Sequence, residues 1–133
     1  MSRFRDERGA LSTFLAVTAL ALLMAAGLAV DGGRKVAALR EASHLADNAA
    51  RAGAQAVDLD TLRSSGELRL DPDEATGRAT DYLAGLGHEG QVQVAGDTVT
   101  VTVSLTVNPV LLPIGTITVT ATETASAITE EPT

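Results

Sequence analysis

Residues 10–30, ALSTFLAVTALALLMAAGLAV, contain no ionisable side chain. At about 1.5 Å per residue the run makes a helix of roughly 30 Å, the thickness of a bilayer's hydrocarbon core. Ser12, Thr13 and Thr18 carry its only hydroxyls, and a helix satisfies these with its own carbonyls. A buried helix of a soluble protein rarely stays apolar on every face for this length. The run therefore reads as a transmembrane helix at 10–30, preceded by a short cytoplasmic tail at 1–9. A cleaved secretory signal is a competing reading, because Arg3, Arg5 and Arg8 precede a run rich in small residues. The run is longer than the usual signal core of about 7–15 residues, however. The nearest small-x-small site, Gly27-Leu28-Ala29, also leaves Val30 behind.

Orientation depends on charge. Arg34, Lys35 and Arg40 follow the run about as closely as Arg3, Arg5 and Arg8 precede it, so positive charge alone leaves both orientations open. A short basic N-terminus facing a long acidic remainder favours the N-terminus inside and the C-terminal part outside the membrane. The formal net charge is −7 over 133 residues, and the acids concentrate after the apolar run. Such a surface repels phosphate backbones, so no nucleic-acid partner is expected. There is no cysteine and no tryptophan, and the aromatics are Phe4, Phe14 and Tyr82. Disulfides and Cys-ligated metals are excluded, and the core must be built from Ala, Val, Leu and Ile.

Beyond the anchor, residues 31–128 read as one extracytoplasmic α+β domain, followed by an acidic tail at 129–133. Asp31 stands at helical spacing from Arg34 and Lys35, its expected ion-pair partners, and Gly32-Gly33 offers a flexible step. Residues 34–57 form an amphipathic stem helix that continues the anchor. Its packing face is Leu39, Ala42, Ala46, Ala49, Gly53 and Ala56, a stripe suited to a sheet or to a partner helix. Residues 58–70 read as a loop with a short turn, broken at Ser64-Ser65-Gly66. A second, short helix spans 72–86: Asp71 caps it, Pro72 opens it and Glu74 lies three residues past the cap. Its apolar face is Ala75, Ala79, Tyr82, Leu83 and Leu86, with Tyr82 at the edge of the core.

The period then changes from 3.6 to 2, and residues 91–127 read as about three antiparallel strands. Val92 and Val94 precede a turn at Ala95-Gly96-Asp97. Val99, Val101, Val103, Leu105 and Val107 then share one face, and Thr98, Thr100, Thr102, Ser104 and Thr106 share the other. Asn108-Pro109 stops that strand, and Val110–Ile114 is an apolar connection. A last strand puts Ile117, Val119 and Ala121 inward. A sheet with one apolar face needs a cover, and the Ala stripe of the stem supplies it.

No catalytic, cofactor-binding or metal-binding residue is assigned. His44 and His88 have no neighbouring His or Cys to complete a zinc site. Asp58 and Asp60 begin like a calcium loop, but Arg63 stands where an EF-hand needs Gly. Gly32-Gly33 does not fit a phosphate-cradling loop. No small-molecule substrate and no cofactor is implied, and the chain is not expected to be an enzyme.

Three stretches carry a family resemblance: RDERGA at 5–10, VDGGR at 30–34 and ADNAARAGAQ at 46–55. Residues 5–55 resemble the N-terminal region of Tad (Flp) pilus-assembly proteins of the TadE/TadG-like kind. The resemblance implies a bacterial cell-membrane protein with a pilin-like fold. It also implies a structural or assembly role in a tight-adherence pilus or related secretion apparatus, as a minor pilin (pseudopilin) or a membrane-bound factor. The implied partners are other pilus or secretion components, reached through the transmembrane and stem helices. Prepilin-peptidase cleavage would fall after Gly9, but the Glu that processed subunits carry five residues later is Phe14 here. An unpaired charge in a filament core is costly, so a chain without that carboxylate suits an uncleaved anchor better than a repeating subunit. The alternative is a membrane-tethered binding module unrelated to pili, which would capture a ligand at a strand edge.

Overall fold

The computed structural model describes residues 3–111 and 113–128, with side chains from residue 9 onward. The acidic tail at 129–133 lies outside the described residues, as do the side chains of Arg3, Arg5 and Arg8. Six elements follow in order: α1 (Arg3–Gly53), α2 (Leu59–Ser65), α3 (Pro72–Gly85), β1 (Gly90–Ala95), β2 (Thr98–Val107) and β3 (Ile117–Ser126). The strands form one antiparallel sheet in the order β1-β2-β3.

Anchor and stem are one unbroken helix of 51 residues, roughly 75 Å long. Gly32-Gly33 does not interrupt it. The helix ends at Gly53, short of the expected 57, because the chain beyond is taken up by a different partner. The amide of Asp71 donates to Ala56 O at 2.9 Å, the amide of Asp58 donates to Arg69 O at 2.9 Å, and Val57 bridges Leu70. Backbone committed to that pairing cannot also continue a helix.

Asp58 turns the expected loop into α2. Its carboxylate accepts the amides of Asp60 and Thr61, each at 3.0 Å, and the Thr61 hydroxyl donates to it at 2.6 Å. Gly66 ends α2 in the left-handed region at φ 71°, where its amide donates to Leu62 O; the Ser64-Ser65-Gly66 breaker is thus a helix cap. The Thr61 hydroxyl bond, followed by its amide bond, lowers the Asp58 pKa below the ordinary 3.8. A carboxylate depressed in the folded state stabilises α2 above its unfolded pKa, and that support is lost as pH falls through the folded value. The amide shifts of Asp60 and Thr61 should therefore titrate together with a midpoint below 3.8, and Asp58→Asn should abolish that titration. A midpoint at or above the ordinary value would mean the cap does not form in solution.

The cap of α3 follows the expected pattern, with Asp71 accepting the amides of Asp73 and Glu74 at 3.0 Å. Ala75, Ala79 and Leu83 are buried, Tyr82 is half-buried at the core's edge, and Leu86 is exposed just past the last turn.

The core lies between the sheet's apolar face and two helices. Val99, Val101 and Val103 of β2 are fully buried, as are Ala42, Ala46, Ala49 and Ala50 of α1. Small side chains on the stem let the two backbones approach, as the stripe of alanines implies. Gly53 shows how closely: a Cβ there would meet Ala75 O at 2.9 Å and Val99 Cγ1 at 3.1 Å. Because one of those atoms is backbone, Gly53→Ala should destabilise the domain by about 1–3 kcal/mol despite its better helix propensity. Denaturant titration checks this, and a stabilised variant would contradict the packing. On the outer face the hydroxyls of Thr98 and Ser126, Thr100 and Thr124, Thr102 and Thr122, and Ser104 and Thr120 pair across β2 and β3.

Candidate functional site

Three regions of α1 bear on function: the bare apolar segment, its junction with the domain, and the stem. From residue 10 to 30 every position is exposed except Gly27. Leu22 and Leu23 are 66% and 71% exposed. The segment is long and apolar enough to cross a membrane. Soluble monomers rarely expose an apolar surface this large. Ser12 and Thr13 both donate to the Gly9 carbonyl, at 3.1 and 2.8 Å. The candidate cleavage position therefore lies within continuous helix, with nothing within 4 Å of a Cβ at Gly9.

The junction holds a contact that helical spacing does not anticipate. Asp31 is buried, and its carboxylate accepts the amides of Val110 at 3.0 Å and Leu111 at 3.1 Å. Arg34 and Lys35 are exposed. Beyond the neighbours offered by helical spacing, Asp31 is thus held by backbone donors of the loop between β2 and β3. Leu111 reaches the helix too: a Cβ at Gly27 would lie 3.4 Å from its Cβ. Both an acid at the end of the run and an apolar loop between prolines are legible in the sequence. Joining them required the three-dimensional register of the sheet.

In the stem, Ala42, Ala46, Ala49 and Gly53 pack inward, and Ala56 is buried just past the helix. Leu39 does not join them and is 45% exposed. The stripe is therefore occupied by the chain's own sheet and by α3 rather than left open for a partner helix. Ser43 donates to Glu123, tying the stem to the inner face of β3. Among the described residues no group of His, Asp and Glu could hold a metal ion. His44 is exposed and His88 half-buried.

The extent of the apolar segment, junction and stem coincides with a match to one family model. Residues 9–56 match the Tad model, described as putative Flp pilus-assembly TadE/G-like. No curated protein and no solved structure matches the chain. The Tad segment begins at Gly9 and ends at Ala56, so it contains the apolar segment, Asp31 and nearly all of the buried stem. It excludes α2, α3 and the sheet. Asp31 is thus a Tad-segment residue whose bonding partners, Val110 and Leu111, lie outside that segment. The match associates this part of the chain with Flp pilus assembly, and the apolar helix it contains suggests membrane anchoring.

Proposed function

We propose that the protein is a membrane-anchored structural component of Flp pilus assembly, of minor-pilin or pseudopilin type, and not an enzyme. The observation that carries this reading is the coincidence of the Tad match at 9–56 with a helix whose apolar segment is bare and whose stem is packed. In this account residues 10–30 cross the cell membrane once, the N-terminus faces the cytoplasm and the α+β domain faces outward. Other pilus components meet the transmembrane segment and the exposed side of the stem, since the alanine face is already buried.

The anchor stays whole in this reading, because Phe14 stands where a processed subunit would carry its acid and no other acid lies in the run. Intact-mass measurement on membrane-extracted protein tests this part. A species starting at Met1 or Ser2 is expected, and one starting at Ala10 would show cleavage after Gly9. Deleting the gene tests the role itself: the account expects loss of Flp pili or of surface adhesion, restored by the full chain. Unchanged filament yield would favour a tethered binding module instead.

A further inference from the structure

The loop between β2 and β3, residues 108–116, carries Val110, Leu111 and Ile114 at 62%, 56% and 61% exposure. Among its described residues these are exposed apolar side chains, an unusual surface for an acidic domain. Its position gives it a use. The carboxylate of Asp31 holds the amides of Val110 and Leu111, and Leu111 lies against Gly27, about one turn inside the uncharged run. If residues 10–30 span a bilayer, this loop lies at the depth where the helix leaves it.

We propose that the loop is a second membrane contact, a wedge of Val110, Leu111 and Ile114 that enters the outer interface of the bilayer beside the helix. This rests on the membrane-spanning reading of residues 10–30. Two features of the loop fit a place at the edge of the hydrocarbon, where an unpaired backbone N–H is costly. Pro109 and Pro113 have no N–H to satisfy, and the amides of Val110 and Leu111 are satisfied by Asp31. The base of the loop is closed by the Thr116 hydroxyl donating to Asn108 Oδ1 at 3.1 Å. The occupant is lipid rather than another protein, because Leu111 lies against Gly27, so the exposed apolar side chains of the loop adjoin the exposed apolar surface of the anchor. A wedge beside the helix fixes the tilt of the domain over the membrane, which a single helix alone leaves to its neighbours.

The chain has no native cysteine, so single probes can be placed cleanly. The full chain, reconstituted in phospholipid vesicles, would carry an environment-sensitive fluorophore at Ile114→Cys, Leu20→Cys or Thr124→Cys in turn. Lipid bearing a nitroxide at a shallow acyl position should quench the probe at position 114 strongly and leave that at 124 unquenched. Lipid with a deep nitroxide should quench the probe at position 20. If position 20 is quenched while 114 responds only to aqueous iodide, the wedge is wrong and the anchor stands. If position 20 is not quenched either, both readings fall. Adding Asp31→Ala should reduce shallow quenching at 114 and leave position 20 unchanged; full quenching at 114 in that variant would remove Asp31 from the account.

Discussion

Leu20→Arg is expected to strip the protein from the membrane fraction. Leu20 sits at the middle of the uncharged run and is 56% exposed, so it has no internal partner to shelter a charge. On an insertion scale Leu, Val and Phe each favour the bilayer centre by roughly 0.3–0.6 kcal/mol, and Arg opposes it by roughly 2.5–3.5 kcal/mol. The favourable side comes from Leu11, Phe14, Leu15, Val17, Leu20, Leu22, Leu23, Leu28 and Val30, together about 4 kcal/mol. One central arginine therefore cancels most of the drive for insertion. The residue is too far from either end to snorkel fully. Carbonate extraction measures the outcome: the parent protein should stay in the pellet and the variant should appear in the supernatant or be degraded. Leu20→Ala, which adds no charge, should remain in the pellet.

The second large effect is expected inside the domain. Leu83 is 1% exposed and packs from the buried face of α3 against the first strand. A Cβ at Gly90 would come within 2.7 Å of its Cδ1, so the side chain is enclosed on the sheet side. Leu83→Ala should cost about 2–5 kcal/mol, from lost transfer energy and from the cavity left behind. A small domain is stable by only about 5–15 kcal/mol, so the variant should lose a large share of its margin. The chain has one tyrosine and no tryptophan. Tyr82 packs at the edge of this same core, so its fluorescence reports the transition directly in detergent-solubilised protein. An unchanged denaturation midpoint would mean that α3 is not docked as described.

These two residues differ in how far the sequence could place them. Leu20 needs no fold: a run of uncharged residues of membrane length identifies itself, and the alternation of β2 and β3 does the same for the sheet. Leu83 was legible as part of an apolar helix face because Asp71 and Pro72 set the helix's phase. Asp58 was not, since seven residues without a buried side chain give no periodicity, and the helix of α2 depends on its cap alone. Leu39 fits the packing stripe by spacing, yet it lies alongside the sheet, between the contacts at Asp31 and Ser43, on a side of the helix turned away from it. Asp31 was the least legible. Helical spacing points only to Arg34 and Lys35, whereas Val110 and Leu111, whose amides it accepts, lie about eighty residues away and meet it because the antiparallel return of β2 brings the loop back to the helix. The Tad resemblance marked Asp31 through the VDGGR stretch without saying what the acid does.

The central claim is that residues 10–30 span the membrane once, with the sheet outside. Single-cysteine labelling tests it most directly, using a membrane-impermeant maleimide on intact spheroplasts with cysteine placed at Ser2 or Thr124. The account predicts that Thr124→Cys is labelled on intact spheroplasts and Ser2→Cys only after permeabilisation. Labelling of Ser2→Cys with protection of Thr124→Cys would reverse the topology, and labelling of both would contradict a spanning helix altogether.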